Sequence, residues 1–235
     1  DIFHWAGETY DEMKYHIGLV HRLGNIDRID TGKPGYTKME IGQPTPIPSV
    51  NWVNMHGQND QDGVDMLNLS RLQMEYRREI WESVQKIRQT PGYEQVFLLD
   101  TAPQLGVRMS RIVDAEYKLT LEDTMTYKAF DDVIGVSGAW TTMLYKGKKV
   151  RKTERPYWQI PYRSLLPKKT DNLLVAGRCF CFEQELVEDT RIIGTCLITG
   201  HGAGAAAGLA VKEREMVRSI DTGKLKKLLT EQGAW

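Results

Sequence analysis

Apolar residues recur along this chain in short, changing rhythms, and each rhythm predicts an element. In residues 1–24 the stretch DEMKYHIGLVHRL sets Met13, Ile17, Leu19 and Val20 on a helix-like pattern, which predicts a helix there. Residues 30–50 carry Pro34, Pro44, Pro46 and Pro48 with Gly32, Gly35 and Gly42, the composition of loop or edge strand. NWVNMHG (51–57) predicts a short strand and GQNDQDG (57–63) a polar turn. Residues 70–89 form the clearest helix, with Ile80, Trp81, Val84 and Ile87 on one stripe and Pro91-Gly92 as its stop. Residues 96–120 alternate around Val107, Met109, Ile112 and Val113, which predicts two or three strands. Residues 121–133 mix a polar start with Phe130 and Val133, and 157–166 lead into the next strand. From Lys224 onward a short amphipathic helix is expected.

Residues 171–211 carry the strongest chemical signal. Residues 172–177 (NLLVAG) are nearly continuous apolar, as a parallel strand buried on both faces is. Gly177 allows a sharp turn where such a strand ends, and ligands of open α/β folds collect at that edge. Arg178 there has a planar fork suited to a phosphate or a flavin edge; a salt-bridged surface arginine is the equal alternative. A helix is expected from about Thr195. Within it Gly200, Gly202, Gly204 and Gly208 each cost about 1 kcal/mol against alanine. Gly200, Gly204 and Gly208 are four apart and make one smooth stripe. Either close approach of a ligand or tight helix-on-sheet packing accounts for it. Thr195 is placed to cap the first turn, whose amides and dipole favour negative charge. Gly202 to Ala207 spells G-x-G-x-x-A, but inside the helix rather than directly after a strand, so it is not a dinucleotide fingerprint.

Composition removes several classes. The chain has 31 Lys+Arg against 31 Asp+Glu in 235 residues and no basic stripe, so no nucleic-acid partner is expected. Residues 192–211 lack acids and bases apart from His201, a length that spans a bilayer. Half of them are Gly or Ala and His201 lies in the middle, so no membrane span is expected. The first residue is Asp and no leader follows; with three cysteines, this predicts reduced thiols and a cytoplasmic location. Cys179, Cys181 and Cys196 lack a fourth ligand, so no metal site is expected.

Several motifs occur in a fixed order. They are Arg77-Arg78 with Trp81, residues 100–111 (DTAPQLGVRMSR), 119–123 (LTLED), 130–134 (FDDVI), 160–167 (IPYRSLLP) and 172–179 (NLLVAGRC). Arg191, Thr195-Cys196, Gly200 and Ala203-Gly204 follow. Together, over about residues 51–213, they resemble the FAD-dependent oxidoreductases of the glutathione-reductase-like superfamily. The resemblance implies an α/β fold: an α+β substrate domain plus the closing strand and helix of an FAD-binding Rossmann-like domain. The divisions expected are 1–164 for the substrate or cap domain, 165–216 for the completing strand–loop–helix, and 217–235 for a C-terminal helix or tail. The glycine-rich pyrophosphate turn is absent from these residues, so a second polypeptide carrying the N-terminal FAD-binding half is the expected partner.

By position, the resemblance places Gly177, Arg178, Arg191, Gly194, Thr195 and Cys196 at the FAD. Arg108 and Arg111 match an Arg-x-Ser-Arg pattern whose residues line the site or hold the interdomain strand; with Trp140 and Glu185 they are the expected substrate contacts. The chain departs from relatives at Gly194, commonly Pro, at His201, commonly Gln, and in residues 138–143, which lack the usual His. Phe180, Cys181 and Phe182 are also unusual and offer an apolar wall. His201 and Tyr162 are the catalytic candidates; a histidine satisfying a backbone carbonyl and a packed tyrosine are the plain alternatives. The expected activity is hydride transfer between flavin N5 and a small organic substrate. The alternative is a non-catalytic subunit that keeps the flavoprotein fold.

Overall fold

The computed structural model describes residues 7–26, 41–54, 56–138, 143–145, 148–150 and 157–234. The first half runs β1 (Tyr10–Glu12), β2 (Lys14–Gly18), β3 (His21–Gly24), β4 (Gln43–Pro44), β5 (Val50–Val53), β6 (Gly57–Asp62) and α1 (Met66–Arg88). Three strands follow, β7 (Phe97–Thr101), β8 (Gly106–Val107) and β9 (Arg111–Val113), then the short helix α2 (Leu121–Met125). The rest comprises β10 (Val133–Ser137), β11 (Met143–Tyr145), β12 (Lys148–Val150), β13 (Trp158–Pro161), α3 (Val187–Thr190), α4 (Ile193–Glu213) and α5 (Thr222–Glu231). The fold is α/β, with helices beside small antiparallel sheets. Its contacts divide into one unit of residues 14–110 and another of residues 1–13 with 111–235.

The 14–110 unit is organised by α1. Asp65 caps it, its carboxylate accepting from the Leu67 and Asn68 amides, and Lys86 and Arg88 favour the negative end of its dipole. Leu72, Tyr76, Ile80, Val84 and Ile87 are buried, one per turn. They pack on Ile17, Leu23 and Val53 of the sheets and on Leu19 between β2 and β3. Trp81 is the exception to the predicted stripe, 54% exposed on the outer face. The sheets run β4-β5-β3-β7 and β6-β2-β8, so β4 is the edge strand its prolines predict.

Two expectations in this unit are corrected. Described residues 10–24 form strands, not a helix. Ile17, Leu19, His21 and Leu23 are buried at every second position, the strand period, and Met13 and Ile17 fit both periods. Residues 57–62 are a strand rather than a turn, paired with β2. Their polar side chains are mostly exposed, so backbone pairing rather than apolar burial builds β6. At Gly57 a Cβ would sit 2.2 Å from the Ile17 carbonyl oxygen, an approach only glycine permits.

In the other unit, β1 pairs with β9 and β10 with β13. Thr120 and Asp123 form a reciprocal capping box that starts α2. α4 lies on β10, where a Cβ at Gly202 would come within 2.8 Å of the Ile134 side chain and one at Gly135 within 2.3 Å of Ile198. These two glycines set the helix–sheet approach. α5 starts at Asp221, whose carboxylate accepts from the Gly223 and Lys224 amides, and buries Leu225 and Leu229.

Residues 172–177 are also corrected. Asn172 lies in a turn with φ +55°, Gly177 begins a 3₁₀ turn, and residues 173–176 between them belong to no sheet. Among the described residues no strand ladders onto them; the Val175 amide makes a single bond to the Leu165 carbonyl at 2.9 Å. Leu173, Leu174 and Ala176 stay partly exposed. An extended segment becomes a strand only through a neighbouring backbone, and that neighbour is what the sequence pattern does not encode.

Candidate functional site

The site is built where residues 173–179 meet the start of α4. Gly177 has φ +77°, a left-handed conformation that turns the chain into the 3₁₀ turn Gly177–Cys179. Its amide donates to Thr199 Oγ1 at 3.0 Å, which ties the turn to the second turn of α4. Arg178 is exposed on this turn. Burial pushes the Cys179 and Cys196 thiols up, and the Arg178 guanidinium opposes this at both. Both sulfurs lean on nearby carbonyls, Cys179 Sγ on Ala176 and Cys196 Sγ on Arg191. The thiols therefore stay neutral beside one exposed cation.

Helix α4 begins at an N-cap, Ile192, that provides no side-chain bond. Its first i→i−4 bond runs from the Cys196 amide to the Ile192 carbonyl, so the amides of Ile193, Gly194 and Thr195 precede the ladder. Thr195 was expected as the cap; it lies inside the helix, fully buried, and its hydroxyl donates to the Asp189 carbonyl at 2.8 Å. Ser137 Oγ lies 3.0 Å from Thr195 Oγ1. Thr199 Oγ1 donates back to the Thr195 and Cys196 carbonyls, both at 3.1 Å. The inward side of these turns is thus knitted by hydroxyls.

The outward side is bare. A Cβ at Gly177, Gly194, Gly200, Gly204 or Gly208 would have nothing within 4 Å among the described residues. The stripe Gly200–Gly204–Gly208 therefore does not make the helix-on-sheet contact; Gly202 does. Ile193 and Leu197, 80% and 68% exposed, continue the bare face toward the helix start. Further along, Gly204 and Gly208 floor a groove of about 700 Å³ between α4 and α5, rimmed by His201, Lys212, Lys224 and Lys227.

The other expected site residues are placed as follows. Arg191 is ion-paired with Glu188 at the end of α3. Glu185 is exposed on the 3₁₀ turn Gln184–Leu186. Arg111 lies over the Tyr10 ring at 4.9 Å and 3.7 Å from Glu12. Arg108 belongs to the 14–110 unit, 3.5 Å from Asn54 Oδ1. Trp140 lies outside the described residues. His201 is exposed, its Nε2 2.6 Å from Gln232 Oε1, a side-chain partner rather than a backbone carbonyl. Tyr162 is buried and its hydroxyl donates to the Val217 carbonyl at 2.7 Å; burial pushes its pKa well up, with Arg218 opposing. Its observed part is packing. Phe180, Cys181 and Phe182 are not a wall but interior, the two rings 5.0 Å apart.

Sequence reasoning missed Ser137 and Thr199, whose residue types give no signal until their burial is known; Asp189, one of the acids crowding the loop before α4 and expected to be solvated, is fully buried. Arg163 of the 160–167 motif lies 5.0 Å over the Tyr117 ring and 3.6 Å from Asp132.

A glycine turn bearing a cation beside a helix N-terminus that is open among the described residues is an arrangement that suits a negatively charged group. The family model for FAD dependent oxidoreductases matches residues 3–229, and the chain belongs to that family. Its cofactor is FAD. No curated protein and no solved structure matches the chain. The residues present fit FAD: the open positions at Gly177 and Gly194 leave room that a side chain would fill, and Arg178 and the early α4 amides match negative charge. No group of three metal-ligating side chains occurs among the described residues, and no single described helix is long and apolar enough to cross a membrane.

Proposed function

We propose that this chain forms the flavin-ring side of an FAD-dependent oxidoreductase acting on a small organic substrate, with a second polypeptide supplying the pyrophosphate-binding turn. The observation that carries it is the Gly177–Cys179 turn tied to α4 at Thr199, with open glycine positions on both elements. Bound FAD supplies hydride acceptance and donation at N5. Arg178 and the amides of residues 193–195 hold its negative charge, and that charge grows on reduction, so the same groups favour the reduced form. Arg191, Gly194 and Cys196 flank this place. Arg111, Trp140 and Glu185 are proposed for the substrate. The unladdered residues 173–176 and the bare face of α4 support a partner: apolar backbone and costly exposed glycines gain their reason when another segment or cofactor closes over them.

A second reading, a subunit that keeps the fold without catalysis, draws on His201 and Tyr162. Both are engaged, one with Gln232 and the other with the Val217 carbonyl. One experiment separates the readings. The assembly is purified through a tag on this chain, and visible spectra and intact masses are recorded for wild type and Arg178→Ala. The account predicts flavin bands with a second chain, and at least several-fold less flavin in Arg178→Ala at unchanged circular dichroism. A colourless single chain contradicts it, and equal flavin in the variant removes Arg178 from the cofactor.

A further inference from the structure

Three buried hydroxyls lie beneath the first two turns of α4. Ser137, Thr195 and Thr199 are at most 2% exposed. Each hydroxyl has one proton, which fixes the direction of every bond. Thr195 gives its proton to the Asp189 carbonyl, so Ser137 donates to Thr195 Oγ1. Thr199 shares its proton between the Thr195 and Cys196 carbonyls and accepts the Gly177 amide. Four pieces of chain are joined in this way: the last residue of β10, the Gly177–Cys179 turn, α3 and α4. No side chain caps α4, so these bonds stand in for the cap in fixing where its first turn points.

We infer that Ser137, Thr195 and Thr199 are positioning residues for the flavin, holding the α4 N-terminus and the Gly177 turn in the one arrangement that sets its affinity and reduction potential. This rests on the FAD placement proposed above. The field of a helix terminus falls off within its first turn, so a small displacement of residues 193–195 changes the stabilisation of negative charge on the ring. The threonines touch no cofactor in this account; they act through the backbone they hold. Valine at 195 or 199 keeps the shape and removes the hydroxyl, and with it the bond to the Asp189 carbonyl or the bond from the Gly177 amide. Serine keeps the hydroxyl and removes a methyl.

The test uses the native assembly bearing Thr195→Val, Thr199→Val, Ser137→Ala, Thr195→Ser or Thr199→Ser. Affinity for FAD, midpoint potential and amide exchange over residues 193–199 are measured in each. Expected are about tenfold weaker FAD binding, a more negative potential and faster exchange in the valine variants, and near wild-type values in the serine variants. Where a valine variant fails to fold, Ser137→Ala, which deletes a single oxygen, gives the same reading. Valine and Ser137→Ala variants that match wild type in all three overturn the inference, as do serine variants that fail like valine. A wild-type assembly without flavin overturns the FAD placement and this inference together; a flavin-bearing wild type with indifferent variants overturns this inference alone.

Discussion

Helices α1 and α4 are nearly equal in length and opposite in design. α1 has a side-chain cap, a row of large buried residues and an outer face that mixes charged Arg71, Arg78, Glu82, Lys86 and Arg88 with exposed Met66, Leu67, Met74 and Trp81. α4 has no side-chain cap, a buried row of Thr195, Thr199, Gly202, Ala206, Leu209 and Ala210, and an outer face of glycine and exposed aliphatics. The first is completed by its own unit. The second carries a propensity penalty of about 1 kcal/mol per interior glycine, and among the described residues nothing within 4 Å of a Cβ at Gly200, Gly204 or Gly208 offsets it. Such a face gains from close contact with a surface outside its own unit. Within one chain, then, one helix builds a core and the other carries the proposed site.

The largest expected effect lies on α1. Ile80 is fully buried among Ile17, Leu19, Leu72 and Tyr76. Ile80→Ala is expected to cost about 2–5 kcal/mol by urea unfolding while leaving the isolated spectrum of any bound flavin unchanged. A loss of flavin without a loss of stability would show α1 to be a site helix after all.

The next effect is a pH dependence in the same unit. His21 is buried on β3, and burial first, then nearby His56, lowers its pKa to about 4. The unfolded chain takes up the proton near pH 6.5 and the folded one only near 4, so stability present above pH 6.5 is lost as pH falls toward 4. The loss is on the order of 2 kcal/mol. His21→Leu is expected to flatten the fall in urea midpoint between pH 7 and pH 4.5; an identical slope would assign the acid sensitivity elsewhere.

How much of this was legible beforehand follows the same division. The family, its cofactor, α1 and the existence of α4 are written in long or motif-bearing stretches. The strands at residues 10–24 were not, because Met13 and Ile17 satisfy both the helical and the strand period, and only the burial of Leu19, His21 and Leu23 separates them. The stripe Gly200–Gly204–Gly208 was visible, but whether it faced sheet or open space was not; spacing gives a face, never what lies opposite. Thr195 reads as a cap because threonine caps helices, yet the helix starts two residues earlier and buries it. Ser137 and Thr199 have no pattern at all. They matter through partners that are 58 and 22 residues away in the chain.

The smallest change in stability belongs to the bare face, and it tests the central claim most directly. Gly204→Leu places a side chain where nothing lies within 4 Å among the described residues. In the chain alone it is expected to hold or gain up to about 0.8 kcal/mol from helix propensity. In the assembly purified through this chain, the same substitution is predicted to lower co-purifying flavin and second chain several-fold, read as the 450 nm to 280 nm absorbance ratio with intact masses. A Gly204→Leu assembly with the wild-type ratio and composition would contradict the account, showing that nothing closes over the outer face of α4.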